Sequence, residues 1–204
     1  GAHVFQIVAD DDDAEPALDL AFSPELAAQG IYLSEDGGRT WEPSPDGQFA
    51  DAHVIDLAVS PTDHEIAYAA TSNYGMLRTA DSGQSWEQVN QGLVMRRGAS
   101  AVAVHPQDPD LVFAGVPFGG VFRSQNGGGS WQQVSAGMNP EANISDLVID
   151  ASDPEIVYAS DLFSGIYRSS NSGETWNKFS EGLRMEAVNQ LALSAAGEHL
   201  YAFA

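Results

Sequence analysis

The sequence predicts an all-β chain, a β-propeller of four-stranded antiparallel blades, and three observations predict it. An eight-residue phrase occurs four times, 45 residues apart: Ser34 to Trp41, Thr79 to Trp86, Ser124 to Trp131 and Ser169 to Trp176. An apolar, β-branched phrase precedes each one, and a short run of the Ile-Ala-Tyr-Ala kind lies between the two from the second repeat on. A fixed period of this length marks a repeat architecture in which each unit buries its faces against its neighbours.

The first strand of each repeat is the apolar phrase: Asp19-Leu-Ala-Phe-Ser-Pro24, Asp56-Leu-Ala-Val-Ser-Pro61, Ala101-Val-Ala-Val-His-Pro106 and Asp146-Leu-Val-Ile-Asp-Ala151, with a fifth copy from Gln190 to Ala195. Such runs are expected to form an inner strand buried on both faces. The second strand is Ile66-Ala-Tyr-Ala, Leu111-Val-Phe-Ala, Ile156-Val-Tyr-Ala or Leu200-Tyr-Ala-Phe. The first repeat is eight residues short between Pro24 and Gly30, so its second strand is expected to be curtailed or missing. The third strand is the run after Gly30, Gly75, Gly120 or Gly165, and the fourth begins after each Trp. Third and fourth strands joined by a Gly-rich loop make a β-hairpin.

The phrase in that loop reads [Ser/Thr]-x-[Asp/Asn]-x-Gly-x-[Ser/Thr]-Trp. Asp36, Asp81, Asn126 and Asn171 can accept backbone N–H groups of their own turn. The Gly supplies a positive φ. Trp41, Trp86, Trp131 and Trp176, all four Trp of the chain, are expected to bury their rings against the sheet. This pattern resembles the Asp-box, or BNR repeat, of β-propellers, across nearly the whole chain. Sialidases, xyloglucanase-type glycoside hydrolases, sortilin-like receptors and photosystem II assembly factors share it, so the resemblance implies a fold far more narrowly than a function. Asn for Asp in two copies keeps the turn role and drops the charge.

One domain is expected over residues 1–204, with repeats at about 19–55, 56–100, 101–145 and 146–189. A fifth, composite blade joins 190–204 to an N-terminal strand at 3–8, which would remove exposed sheet edges. The alternative is a piece of a larger propeller.

Composition narrows the function classes. The net charge is −21, from 29 acidic and 8 basic residues. Nucleic acid and anionic membranes both require a basic face, so neither is an expected partner. No apolar run reaches the length of a membrane span. With no Cys, thiolate chemistry and Cys-based zinc sites are excluded. The acidic run at residues 10–13 lacks calcium-loop spacing, and the five His show no ligand spacing. No metal and no cofactor is expected. The resemblance favours an extracellular or periplasmic protein; the sequence sets no oligomeric state.

Candidate sites lie on the rim formed by the loops that join each blade's fourth strand to the next blade's first and those between second and third strands. Tyr74, Phe118 and Phe163 sit in the latter loops, where exposed aromatics would contact a glycan or a protein ligand. Asp19, Asp56 and Asp146 begin inner strands near the channel mouth, and Asp56 and Asp146 are the catalytic candidates among them. A glycosidase needs two carboxyl groups about 5–9 Å apart, and this ring of aspartates, with Asp51, Asp161 or Glu186 above it, is the weaker, catalytic candidate. Arg78, Arg123 and Arg168 occupy one repeat position on separate blades and cannot converge on one carboxylate as a sialidase's arginines do. The expected function is therefore a non-catalytic recognition module on the loop rim. The alternatives are a glycoside hydrolase using the inner-strand carboxylates and an assembly-factor scaffold.

Overall fold

The computed structural model describes residues 19–21, 30–94, 98–184 and 187–203. These form five antiparallel sheets. The first holds β1 (Asp19–Ala21), β2 (Tyr32–Ser34) and β3 (Glu42–Pro43). The second holds β4 (Val54–Val59), β5 (Ile66–Thr71), β6 (Gly75–Ala80) and β7 (Glu87–Gln88). The third holds β8 (Ala101–His105), β9 (Asp108–Val116), β10 (Gly120–Ser124) and β11 (Gln132–Gln133). The fourth holds β12 (Ile144–Ile149), β13 (Val157–Asp161), β14 (Gly165–Ser169) and β15 (Asn177–Lys178). The last holds β16 (Gln190–Leu193) and β17 (Leu200–Phe203). In the three complete blades the strands pair in chain order, and the inner strands β4, β8, β12 and β16 contact one another in sequence. This is the radial stacking of a propeller. In the first blade β1 pairs directly with β2, Asp19 opposite Ser34. The expected closing strand at 3–8 lies outside the described residues.

Burial corrects one expectation. The inner strand β8 is buried over all but its last residue, as expected, but β4 and β12 are only half-buried over most of their length, whereas β5 and β13 are almost wholly buried. In these two blades the second strand, paired on both edges, is the more completely buried.

That core lies between blades. Ile31 and Leu33 of the first blade pack with Ala67, Leu77 and Trp86 of the second. Tyr68 and Met76 pack with Val102, Phe122 and Trp131 of the third. Phe113 and Val121 pack with Leu147, Tyr167 and Trp176 of the fourth, and Tyr158 and Ile166 pack with Val188 and Leu191. Trp86, Trp131 and Trp176 bury their rings in the joint with the preceding blade, not only against their own hairpins; Trp41 departs from the expected burial. Trp41, whose preceding joint is not described, is 36% exposed.

The hairpin loops fold as their sequence requires. Thr40 N–H donates to Asp36 Oδ1 at 2.9 Å and its hydroxyl to Oδ2 at 2.7 Å. Asp81 receives Ser85 N–H at 2.8 Å in the same way. Where Asn replaces Asp, Asn126 Oδ1 still accepts Ser130 N–H at 2.9 Å, but its amide now donates to the Ser130 hydroxyl at 3.2 Å. Asn171 repeats this with Thr175. The Gly is required twice over at Gly173: its φ is +81°, and a Cβ there would lie 2.7 Å from the Phe113 ring. No helix among the described residues is long and apolar enough to cross a membrane.

Candidate functional site

Hydrogen bonds establish which loops share a rim. Ala99 N–H, in the loop leading into β8, donates to Thr71 O at the end of β5 at 2.8 Å. Leu162 N–H donates to Asn143 O at 3.1 Å. At the opposite end, Ser82, Gly127 and Ser172 of the Asp-box loops donate to Glu65 and Glu155 in the loops after inner strands and to Asp110 near the start of β9. The aromatic candidates and the inner-strand aspartates therefore share one end of the molecule.

Asp56 and Asp146 line one cavity of about 410 Å³, with Ile55, Ser100, Ser145, Asn189, Gln190 and Phe203. Both carboxylates are engaged. Asp56 Oδ1 accepts Leu57 N–H at 2.8 Å, and Oδ2 accepts Val102 N–H of the next blade at 2.8 Å. Asp146 accepts Leu147 N–H at 2.8 Å and, across the next joint, Leu191 N–H at 2.7 Å. Burial pushes the Asp56 carboxyl up to about 7 against the lowering effect of the Val102 bond, and the Asp146 charge pushes the same way. Burial pushes Asp146 up to about 6, opposed by its two backbone bonds. Both strands bulge at this point, the register shifting between Val54 and Asp56 and between Ile144 and Asp146.

The third blade carries Ala101 where its neighbours carry Asp. Its latch comes from the preceding residue: Ser100 Oγ donates to Ile144 O at 2.6 Å, as Ser145 Oγ does to Val188 O at 2.6 Å. Ser100 and Ser145 are cavity residues that the sequence reading missed. The signal was their place: Ile55, Ser100, Ser145 and Asn189 each stand one residue before an inner-strand phrase.

Of the three aromatics, two meet. Phe118 and Phe163 stack across adjacent blades, ring centroids 6.1 Å apart and planes inclined by 26°. They are 45% and 59% exposed. Phe118 has φ +58°, a left-handed conformation that bulky side chains rarely adopt. Phe163 is presented by a turn built on buried Asp161, which accepts Asn143 N–H at 3.2 Å, Phe163 N–H at 3.0 Å and the Ser164 hydroxyl. Tyr74 does not join them. In the 45-residue register Asn73, not Tyr74, aligns with Phe118 and Phe163. Tyr74 instead packs edge-on against Phe49, centroids 5.1 Å apart, and donates its hydroxyl to Asp51 at 2.6 Å. Asp51 and Asp161 thus serve loop contacts, and Glu186 lies outside the described residues.

The arginines remain apart. Arg78 pairs with Glu87 at 3.4 Å, Arg123 donates to Ser172 O at 2.7 Å, and Arg168 lies about 6 Å from the Tyr158 and Phe179 rings.

The family model of Sortilin-Vps10 (sortilin, neurotensin receptor 3) matches residues 29–116. No curated protein matches the chain significantly. Among solved structures, an ancestral GH74 enzyme is 24% identical with a TM-score of 0.72, over 93% of this chain and 26% of its own. The GH74 xyloglucanase from Xanthomonas campestris is 20% identical with a TM-score of 0.73, over 92% of this chain and 32% of its own. Sqt1 from Chaetomium thermophilum, bound to the N-terminus of a ribosomal protein, is 12% identical with a TM-score of 0.63, over 91% and 52%. The chain thus spans a quarter to a third of the GH74 proteins and about half of Sqt1. The repeat carried by the four hairpins and the fold shared with these structures agree: this chain is a β-propeller of the Asp-box (BNR) repeat type.

Proposed function

We propose that this chain is a non-catalytic recognition module that takes a glycan or protein ligand on its loop rim. The observation that carries the reading is the stacked, exposed pair Phe118 and Phe163, contributed by two adjacent blades. Two phenyl rings fixed at one edge of a rigid sheet give a ligand apolar area at little entropic cost. Phe118 is held in a backbone conformation that costs folding energy, a pattern common at binding positions. The inner-strand aspartates support a structural role, because both oxygens of each already accept backbone N–H groups.

A glycoside hydrolase is the second reading, favoured by Asp56 and Asp146 lining one cavity with carboxyl groups that burial raises to about 7 and about 6. The proteins of similar fold point both ways: some are GH74 enzymes, and one was solved with a protein segment bound. The test incubates the protein with plant and bacterial polysaccharides and reads both bound protein and released reducing sugar. Retention without release, lost in Phe118→Ala and Phe163→Ala, supports the module. Sugar release that Asp56→Asn or Asp146→Asn abolishes replaces it with the hydrolase. Neither retention nor release leaves a protein ligand, sought by affinity capture in which Phe118→Ala is the control.

A further inference from the structure

The three described Asp-box joints are not equivalent, and the first is open. Trp131 Nε1–H donates to Val89 O of the preceding blade at 2.7 Å, and Trp176 Nε1–H donates to Val134 O at 2.6 Å. Their main-chain N–H groups donate to Gln91 O and Ala136 O, each at 2.8 Å. In both joints the blade's outer strand thus lies directly on the next Trp. The fit is tight: a Cβ at Gly92 or Gly137 would run into the carbonyl oxygen of Trp131 or Trp176.

Between the first and second blades this contact is replaced. Trp86 main-chain N–H donates to the side chain of Asp46, Oδ2 at 2.8 Å, instead of to a main-chain carbonyl. A Cβ at Gly47, the position of Gly92 and Gly137, would meet nothing within 4 Å. The interposed carboxylate holds the outer loop of the first blade away from Trp86. A cleft of about 540 Å³ results, within the range of ligand sites. Ile31, Tyr32, Pro43, Pro45, Phe49 and Trp86 give it mostly apolar walls. Trp86 is 4% exposed, and its indole N–H, shielded from solvent, has no partner. An unpaired buried donor costs about 1–3 kcal/mol, so the cleft favours an occupant that supplies an acceptor.

We propose that this cleft binds an extended, proline-containing polypeptide segment, one of whose carbonyl groups accepts the Trp86 indole N–H. The fold itself names the acceptor: at the other two joints the same atom is met by a main-chain carbonyl. The walls name the rest. A groove of rings and prolines with a single uncommitted buried donor suits a backbone rich in carbonyls and poor in N–H groups. A polyproline-type segment has that character, its carbonyls free of internal hydrogen bonds. Asp46 is the charged side chain on the cleft, and both its oxygens accept backbone N–H groups, from Gln48 at 3.0 Å and from Trp86. It therefore disfavours an anionic ligand.

The site lies at the joint of the first and second blades, apart from the Phe118–Phe163 pair on the third and fourth, so it stands or falls separately from the recognition reading. The probe is a capped ten-residue peptide of alternating Ala and Pro, with a capped Gly-Ser peptide of equal length and a xyloglucan oligosaccharide as comparisons. The readout is the ¹⁵N-labelled indole N–H resonance of Trp86, assigned by its loss in Trp86→Phe. Saturable movement of that resonance with the Ala-Pro peptide alone, weakened about tenfold or more by Tyr32→Ser, is the expected result. No movement at millimolar peptide overturns the proposal. So does equal movement with the Gly-Ser peptide or the oligosaccharide, or binding that Tyr32→Ser leaves unchanged. The Trp131 and Trp176 resonances, already paired within the fold, report whether each variant is folded and serve as internal references.

Discussion

Val102 donates its backbone N–H to Asp56 Oδ2 at 2.8 Å, so a carboxylate that begins the inner strand of one blade secures the inner strand of the next. Asp146 and Leu191 repeat the relationship at 2.7 Å two joints on. The aspartates nearest the channel are thereby both inter-blade ties and half-buried acids.

Asp56→Ala leaves the Leu57 and Val102 N–H groups without their acceptor. Destabilisation of about 1–3 kcal/mol is expected, measured by urea unfolding, with a comparable loss for Asp146→Ala. Ser100→Ala, which removes the tie at the joint where Ala101 replaces Asp, is expected to cost about 0.5–1.5 kcal/mol.

Stability is expected to rise as pH falls from about 8 to 5. The folded-state values of Asp56 and Asp146, about 7 and about 6, lie above the unfolded value of 3.8. The fold therefore binds more protons than the unfolded chain in this window. The corresponding stability is fully present below 3.8 and lost as pH rises through 6 and 7. For the pair the change is about 4 kcal/mol, and Asp56→Asn with Asp146→Asn flattens it. Asp36 acts oppositely: held at about 2, chiefly by the Thr40 hydroxyl, it contributes above 3.8 and is lost as pH falls toward 2. Unfolding midpoints across pH 3 to 8 check both signs.

Replacing each interior Trp by Phe separates the joints. Trp131→Phe and Trp176→Phe orphan the carbonyl groups of Val89 and Val134, whereas Trp86→Phe removes a donor that has no partner. The first two are expected to be more destabilising than the third by about 1 kcal/mol, read from chemical denaturation.

Phe118→Gly tests whether the rim is kept for function. At φ +58°, glycine removes the left-handed penalty, and a stability gain of up to about 1 kcal/mol is expected alongside loss of ligand retention. A stability loss would assign Phe118 to packing instead.

The hairpins were legible because their logic is local. Asp36, Asp81, Asn126 and Asn171 bond groups within four residues, and the spacing of the phrase encodes those bonds directly. The site was legible only in part. Asp56 and Asp146 were found because they open a repeated phrase, but their partners Val102 and Leu191 are 46 and 45 residues away. Residue type and loop position group Tyr74 with Phe118 and Phe163, although it stands one residue out of register. That single residue turns its ring to Phe49.

The sequence by itself determined the repeat, the four hairpin turns, the order of strands within a blade and the absence of thiol chemistry, since each depends on neighbours in the chain or on composition. Only the tertiary structure decided which faces each Trp buries, which aspartates tie which blades, that Phe118 and Phe163 stack, and that the joint at Trp86 stands open. Those features are contacts between repeats. A one-residue offset or a single exchange such as Asp46 for a main-chain carbonyl changes them without disturbing the pattern along the chain.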